Sequence, residues 1–230
     1  IAWWENSTTG FFYHNIDNDF SGASGIKAAD MDRDGFLDIV AVAETANKVM
    51  WWQNDGVAAN WTPYQIHAVA GNPAAVDVAD INRDGWLDVV ATAKNSQYVY
   101  WYENNGKPTI EDWTQHNAMA EAMNYPADNR LKTGDIDNDG DVDLLLGRPN
   151  YYPLFSENLD GVGGSWAYND LRVAQDKIYD IDLADIDRDG DLDFFGADYF
   201  ENAIYWFENR RGAKHTWKEH PVVFRYAQPS

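Results

Sequence analysis

Residues 30–38 read D-M-D-R-D-G-F-L-D, and the same nine-residue pattern returns three times. It stands as D-I-N-R-D-G-W-L-D at 80–88, D-I-D-N-D-G-D-V-D at 135–143 and D-I-D-R-D-G-D-L-D at 185–193. The starts lie 50, 55 and 50 residues apart, a period that fits one four-stranded propeller blade per repeat. Around each acidic string the chain carries short apolar or aromatic runs separated by Gly, Asn and Asp, which read as strands and turns. A strand precedes each string (Ile26–Asp30, Val76–Asp80, Leu131–Asp135, Ile181–Asp185), and an apolar run too short for a helix follows it. A third strand carries an aromatic pair, then an acid or amide, then Asn: Trp51-Trp52-Gln53-Asn54, Trp101-Tyr102-Glu103-Asn104 and Trp206-Phe207-Glu208-Asn209. A fourth ends aromatic-x-x-His, at Tyr64 to His67, Trp113 to His116 and Trp217 to His220.

The expected fold is therefore all-β, a β-propeller of four-stranded antiparallel blades with the acidic loops between strands one and two. Four full blades are expected at roughly 24–70, 74–120, 129–175 and 179–225, after an N-terminal half blade at 1–20. That half blade holds Trp3-Trp4-Glu5-Asn6 and Phe11 to His14, which match strands three and four only. A propeller closes its ring to remove free sheet edges. The expectation is a single propeller domain or a fragment of a larger one, with a second chain or a missing segment completing the ring.

Acids at alternate positions 1, 3 and 5 converge only where the backbone curls tightly, and Gly at position 6 permits the curl. Oxygens gathered in this way suit calcium, a hard cation that takes 6–8 oxygens, whereas magnesium keeps several waters. The expected cofactor is Ca²⁺, about four ions, one per loop. In the first loop Asp30, Asp32 and Asp34 supply side-chain oxygens, Phe36 its carbonyl, and Asp38 closes the site. The corresponding residues are Asp80, Asn82, Asp84, Trp86 and Asp88 in the second loop. They are Asp135, Asp137, Asp139, Asp141 and Asp143 in the third, and Asp185, Asp187, Asp189, Asp191 and Asp193 in the fourth. Asn82 replaces a carboxylate, so the second site is expected to be weaker. An EF-hand shares the first six positions but needs Glu at position 12 and flanking helices. Position 12 is Ala41, Ala91, Leu146 and Gly196 here, which rejects it.

The 230 residues carry 17 basic and 38 acidic side chains, a formal charge of −21. Such a charge repels phosphate backbones and makes nucleic acid an unsuitable partner. The loops hold 17 of the 38 acids, and four divalent ions would add eight positive charges, taking −21 to −13. Cysteine is absent, so neither disulfides nor thiol chemistry enter. No run of about 18 apolar residues is present, so no membrane insertion is expected. The chain starts at Ile1, as expected of a trimmed product or a fragment.

The string D-x-D-x-D-G-x-x-D between the first two strands, with a W-Y-E-N-like third strand, resembles the FG-GAP/VCBS repeat family over nearly the whole chain. That family includes integrin α-subunit propellers and propeller lectins. The resemblance implies calcium in each loop, an extracellular setting, and ligand binding on faces or between blades. It does not determine the ligand, and the family's usual seven blades exceed the repeats present.

Histidine is the usual catalytic suspect, but His14, His67, His116 and His220 are read as one recurring strand position, where packing explains them better than catalysis. Recurrence likewise makes the third-strand Trp residues packing elements rather than sugar platforms. Irregular features are better ligand candidates, and blade three is the irregular one. Tyr125, Arg130, Arg148, Asn150 and Tyr151 are expected to form a polar-aromatic patch on the face opposite the acidic loops. Lys27, Asp77, Lys132 and Asp182, three residues before each loop, alternate in sign and are expected to face the central channel on successive innermost strands and form salt-bridged neighbours. The functional expectation is a non-catalytic, calcium-stabilised extracellular recognition module for a glycan or protein surface. The alternatives are a propeller scaffold of a carbohydrate-active enzyme, such as a polysaccharide lyase or sugar dehydratase, and a structural assembly repeat. Glu121 and Asp128 are the only acids that attract a catalytic reading.

Overall fold

A computed structural model of the chain describes residues 1–57, 60–68, 71–95, 98–107, 113–119, 130–148, 151–171, 173, 178–198, 202–210 and 216–224. These residues form a β-propeller. The half blade is the hairpin of β1 (Ala2–Ser7) and β2 (Gly10–Asn15). Blade one comprises β3 (Ala23–Ala29), β4 (Asp38–Ala43), β5 (Lys48–Asn54) and β6 (Trp61–Ala68). Blade two comprises β7 (Pro73–Ala79), β8 (Asp88–Ala93), β9 (Tyr98–Glu103) and β10 (Thr114–Met119). Blade three comprises β11 (Leu131–Gly134), β12 (Asp143–Leu146), β13 (Leu154–Asn158) and β14 (Trp166–Asp170). Blade four comprises β15 (Ile178–Ala184), β16 (Asp193–Asp198), β17 (Ala203–Arg210) and β18 (Thr216–Phe224). Within each full blade the strands pair in sequence order, all antiparallel.

The first strand of each blade is innermost, because β3 packs on β7, β7 on β11 and β11 on β15. Stacked sheets bury the second strand on both faces, which is why β4, β8, β12 and β16 read as apolar runs rather than alternating ones. Three apolar layers fill the gaps between blades. Met31, Val42 and Trp51 meet Val76, Val89 and Tyr102 between blades one and two. Ile81, Val90 and Trp101 meet Leu144, Leu146 and Leu154 next, and Ile136, Leu145 and Phe155 meet Ile181, Phe194 and Phe207 last. Each fully buried large ring or aliphatic chain contributes roughly 1.5–3 kcal/mol. The residue at loop position 2 plugs the gap to the following blade: Met31, Ile81 and Ile136 are wholly buried, while Ile186 of blade four is exposed.

The expected channel pairs form. Lys27 Nζ lies 2.8 Å from Asp77 Oδ1, and Lys132 Nζ lies 2.7 Å from Asp182 Oδ1. Asp77 also accepts the backbone N–H of Thr133 at 3.1 Å, which ties three successive innermost strands together.

One register differs from the sequence expectation. Residues opposite the third-strand Asn are Trp61, Trp166 and Trp217, with Phe11 opposite Asn6 in the half blade. Three residues on, facing the third-strand aromatic, stand His14, Tyr64, His116, Asn169 and His220. The blade-one counterpart of these histidines is Tyr64, so His67 does not share their position. It lies opposite Val49 and packs on Tyr102 of blade two with ring centroids 5.3 Å apart. Burial lowers its pKa, favouring the neutral ring.

Candidate metal loops and the inter-blade cleft

Each acidic loop hangs between strands one and two and folds by repeating the same turns. The position-6 glycines Gly35, Gly85, Gly140 and Gly190 have φ of 91°, 92°, 94° and 95°, a region closed to most side chains. Position 4 is left-handed as well, with Arg33, Arg83, Asn138 and Arg188 at φ of 60–65°. A non-Gly residue there costs roughly 1–2 kcal/mol, so the loop is held against strain by its carboxylates. Asp30 accepts the amides of Asp34 (3.1 Å) and Gly35 (3.0 Å), and Asp185 repeats this with Asp189 and Gly190.

The ninth residue is the buckle of each loop. Asp38, Asp88, Asp143 and Asp193 are wholly buried. One oxygen of each accepts the amide of loop position 2, from Met31 (3.0 Å), Ile81 (2.9 Å), Ile136 (3.0 Å) and Ile186 (3.0 Å). The other accepts the amide of the third-strand Asn, from Asn54 (2.9 Å), Asn104 (2.8 Å), Asn158 (3.0 Å) and Asn209 (2.8 Å). The sequence suggested a metal-closing role for this residue; the structure adds a covalently remote clamp between loop and third strand. The Asn side chains extend the clamp to the preceding blade. Asn104 Nδ2 donates to Met31 O at 3.0 Å, Asn158 Nδ2 to Ile81 O at 3.4 Å, and Asn209 Nδ2 to Ile136 O at 2.7 Å.

Carboxylate oxygens of positions 1, 3 and 9 converge. In Asp30/Asp32/Asp38, Asp135/Asp137/Asp143 and Asp185/Asp187/Asp193 one oxygen from each residue lies within 4.8 Å of the others. Oxygens so spaced can share one ion at the ~2.3–2.6 Å distances of calcium. The position-5 acids stand outside these sets. Asp34, Asp84, Asp139 and Asp189 each turn Oδ1 to the amide of position 7, at 2.8, 2.8, 3.0 and 3.0 Å.

Two observations test the fit of a cation. First, Asp80 Oδ1 and Asp135 Oδ1, both at position 1, are buried without a hydrogen-bond partner, an arrangement costly for a carboxylate unless a cation faces it. Secondly, burial drives Asp38 up to about 6 and Asp88 and Asp143 up to about 7. Backbone donors pull the other way, and the neighbouring acids Asp32, Asp80, Asp84 and Asp137 add to the rise. Protein charge alone leaves these loops over-negative, and the all-oxygen donor set fits a hard cation.

Position 7 faces the neighbouring blade. Arg33 of loop one stacks over the Trp86 ring of loop two at 4.3 Å, a cation–π contact. Arg83 of loop two reaches Asp141 of loop three at 3.5 Å, and Asn138 Nδ2 donates to Asp191 of loop four at 3.0 Å. The side chains of Trp86, Asp141 and Asp191 thus engage position 4 of the preceding loop and form a belt around this face of the propeller.

Beside the belt, between blades two and three, lies an open cleft of about 360 Å³ lined by Asn82, Asp84, Trp101, Glu103, His116 and residues 162–164. His116 stacks on Trp101 at 4.2 Å and its Nε2 lies 2.9 Å from Glu103 Oε2. The same Glu–His–Trp arrangement recurs as Glu5, His14 and Trp3 and as Glu208, His220 and Trp206. Sequence reading saw these residues repeat without seeing that they meet.

The irregular patch of blade three is only partly described. Tyr125 and Asn150, like Glu121 and Asp128, lie outside the described residues. Arg130 and Tyr151 are half-buried at the end of the blade opposite the loops, where Arg130 O accepts the amide of Gly147 at 3.2 Å. Arg148 departs from the expected ligand contact. It is buried, with Nε donating to Tyr152 O at 2.9 Å and Nη2 paired with Asp170, so its guanidinium braces the β12–β13 connection against β14.

Comparisons with known proteins agree with this architecture. A lectin of Agrocybe aegerita, described by its specific recognition of non-reducing terminal N-acetylglucosamine, superposes with a TM-score of 0.62 at 18% identity, over 87% of this chain and 52% of its own. The chain thus spans about half the length of that lectin, and the likeness is one of fold. The Photorhabdus luminescens Tc holotoxin pore aligns over 99% of this chain and 13% of its own, at 15% identity and a TM-score of 0.34, too low to bear on the fold. No curated protein matches. The FG-GAP-like repeat profile matches residues 30–91 and 84–146, spans that cover three of the four acidic loops and just over half of the chain. With the match spanning just over half of its residues, the chain belongs to the FG-GAP-like repeat family.

Proposed function

We propose that the chain is a calcium-stabilised, extracellular recognition module that binds carbohydrate without transforming it. The observation that carries the calcium reading is the convergence, in loops one, three and four, of carboxylates at positions 1, 3 and 9, of which only the ninth is buried, together with orphaned oxygens at Asp80 and Asp135. One ion per loop, four in all, would neutralise those oxygens and lock each strand-one to strand-two hairpin. Weak extracellular calcium modules bind at about 10⁻⁴–10⁻³ M, which suits loops as exposed as that of blade four.

The cleft between blades two and three supports glycan binding. Asn82, Glu103 and His116 offer donors and acceptors side by side, suited to sugar hydroxyls, and the lectin of like fold recognises terminal N-acetylglucosamine. Repetition of the Glu–His pair in the half blade and in blades two and four favours a binding or bracing role over a single reaction centre. The test is retention on immobilised glycans ending in N-acetylglucosamine and other sugars, with calcium and with chelator. Calcium-dependent retention is expected. Retention of no glycan refutes the carbohydrate reading, and turnover of a polysaccharide makes the propeller an enzyme scaffold instead.

A further inference from the structure

Successive full blades meet through a recurring set of groups. The forward side of a blade offers its loop position-2 side chain, a third-strand aliphatic and a third-strand aromatic. These are Met31, Val49 and Trp51 in blade one and Ile81, Val99 and Trp101 in blade two, all buried. The following blade supplies an aromatic residue and the third-strand Asn, Tyr102 with Asn104 or Phe207 with Asn209, and the Asn Nδ2 donates to the position-2 carbonyl. Blade four repeats the forward side as Ile186, Ile204 and Trp206, yet Ile186 and Ile204 are 40% and 43% exposed. No Asn among the described residues donates to Ile186 O, the counterpart of Met31 O and Ile136 O. The half blade repeats the opposite side as Trp4 and Asn6, with Phe11 facing Asn6 as Trp217 faces Asn209. Trp4 and Phe11 are 60% and 72% exposed, and Tyr13, edge-on to Trp4 at 5.6 Å, widens this apolar patch.

We propose that these two faces join in solution, blade four of one copy of the chain seating the half blade of a second copy. Each copy carries both halves of an interface that the chain already makes between its own blades, and exposed apolar patches of this kind mark association sites. Trp4 of the second copy takes the place of Tyr102 and Phe207, against Ile186 and Trp206, and Asn6 Nδ2 donates to Ile186 O. The two faces differ, so the contact is head-to-tail and extends beyond a dimer. The half blade has two strands where a full blade has four, so the contact covers part of a blade face and is weak. A net charge of −21 opposes the approach of copies, and added salt strengthens the association by screening it.

Sedimentation equilibrium of the chain in calcium-containing buffer tests this. The average mass is expected to climb above the 26.1 kDa of one chain as concentration rises. Trp4→Asp and Ile186→Asp, both at exposed positions, are each expected to stay at the mass of one chain, with circular dichroism reporting their folds. Mixed in equal amounts they regain a single interface, because one keeps its blade-four face and the other its half blade, and form a dimer that does not grow. Val57→Asp, in the exposed turn between β5 and β6, is expected to behave as the parent. A parent that stays at 26.1 kDa up to about 100 μM, above the μM range in which the weaker standard-sized interfaces dissociate, overturns the proposal and assigns the faces to other partners. That measurement decides even if a variant fails to fold. Association that persists in either folded variant, or a mixture of folded variants that yields no dimer, overturns it as well.

Discussion

Replacing Asn104 by Ala tests the idea that the recurring third-strand Asn joins blades as well as closing its own loop. Asn104 is 1% exposed. Its Nδ2 donates to Met31 O in the preceding loop at 3.0 Å and to Leu87 O at 3.1 Å, and its Oδ1 accepts the amide of Gly106 at 3.1 Å. Alanine keeps the backbone donation to Asp88 but leaves two carbonyls and one amide without those partners. Each lost bond removes about 1 kcal/mol, and a buried group left unsatisfied costs about 1–3 kcal/mol. Met31 O is deeply enclosed and the other two groups border solvent, so the total is about 3 kcal/mol. Urea unfolding in excess calcium, followed by tryptophan fluorescence, measures it. A loss under about 1 kcal/mol with an unchanged denaturant slope refutes the reasoning. Asn209→Ala removes the matching bonds to Ile136 O (2.7 Å) and Leu192 O (3.1 Å) and is expected to cost a similar amount.

In chelator, stability should fall as pH rises from about 4 to 8. Asp38, Asp88 and Asp143 have folded pKa values raised to about 6, about 7 and about 7 above an unfolded value near ~3.9. Their contribution is fully present below the unfolded value and is lost as pH rises through the folded ones, at up to roughly 4 kcal/mol for Asp88. Thermal melts across that range check this, and a midpoint that climbs with pH in chelator contradicts it. Excess calcium, which favours the ionised carboxylates, should reverse the slope. At the channel, Asp77→Ala strips Lys27 of its partner and Thr133 N–H of its acceptor at a buried position, for a loss of about 2 kcal/mol. Lys132→Ala, whose partner Asp182 is half exposed, should cost under about 1 kcal/mol; equal losses in urea unfolding would contradict the distinction.

Most of the propeller was legible in the chain because its repeat is written in residue types with narrow conformational uses. Gly at loop position 6 meets a backbone angle that excludes side chains, and apolar runs such as Asp38–Ala43 suit a strand covered on both faces. The alternating Lys27, Asp77, Lys132 and Asp182 were legible too, since adjacent innermost strands put equivalent residues side by side. The register of the fourth strand misled at one place: Tyr64-x-x-His67 imitates Trp113-x-x-His116, yet Trp61 is the true counterpart of Trp113. Two aromatic residues at the same spacing make the motif ambiguous, and only the pairing of Asn54 with Trp61 resolves it.

Sequence by itself determined the period of the repeat, the place of each acidic loop and the residue types that gather there, because these depend on local turn chemistry and on a period repeated along one chain. Tertiary structure decided what those residues do for one another. It turned Asp38 and its equivalents into buckles, carried Asn104 and Asn209 across to the preceding blade, set Arg33 on Trp86 and Arg83 on Asp141, and committed Arg148 to a buried brace. The contacts between blades join residues 53 to 73 positions apart through the angle between stacked sheets, and that angle comes from packing rather than from any single segment.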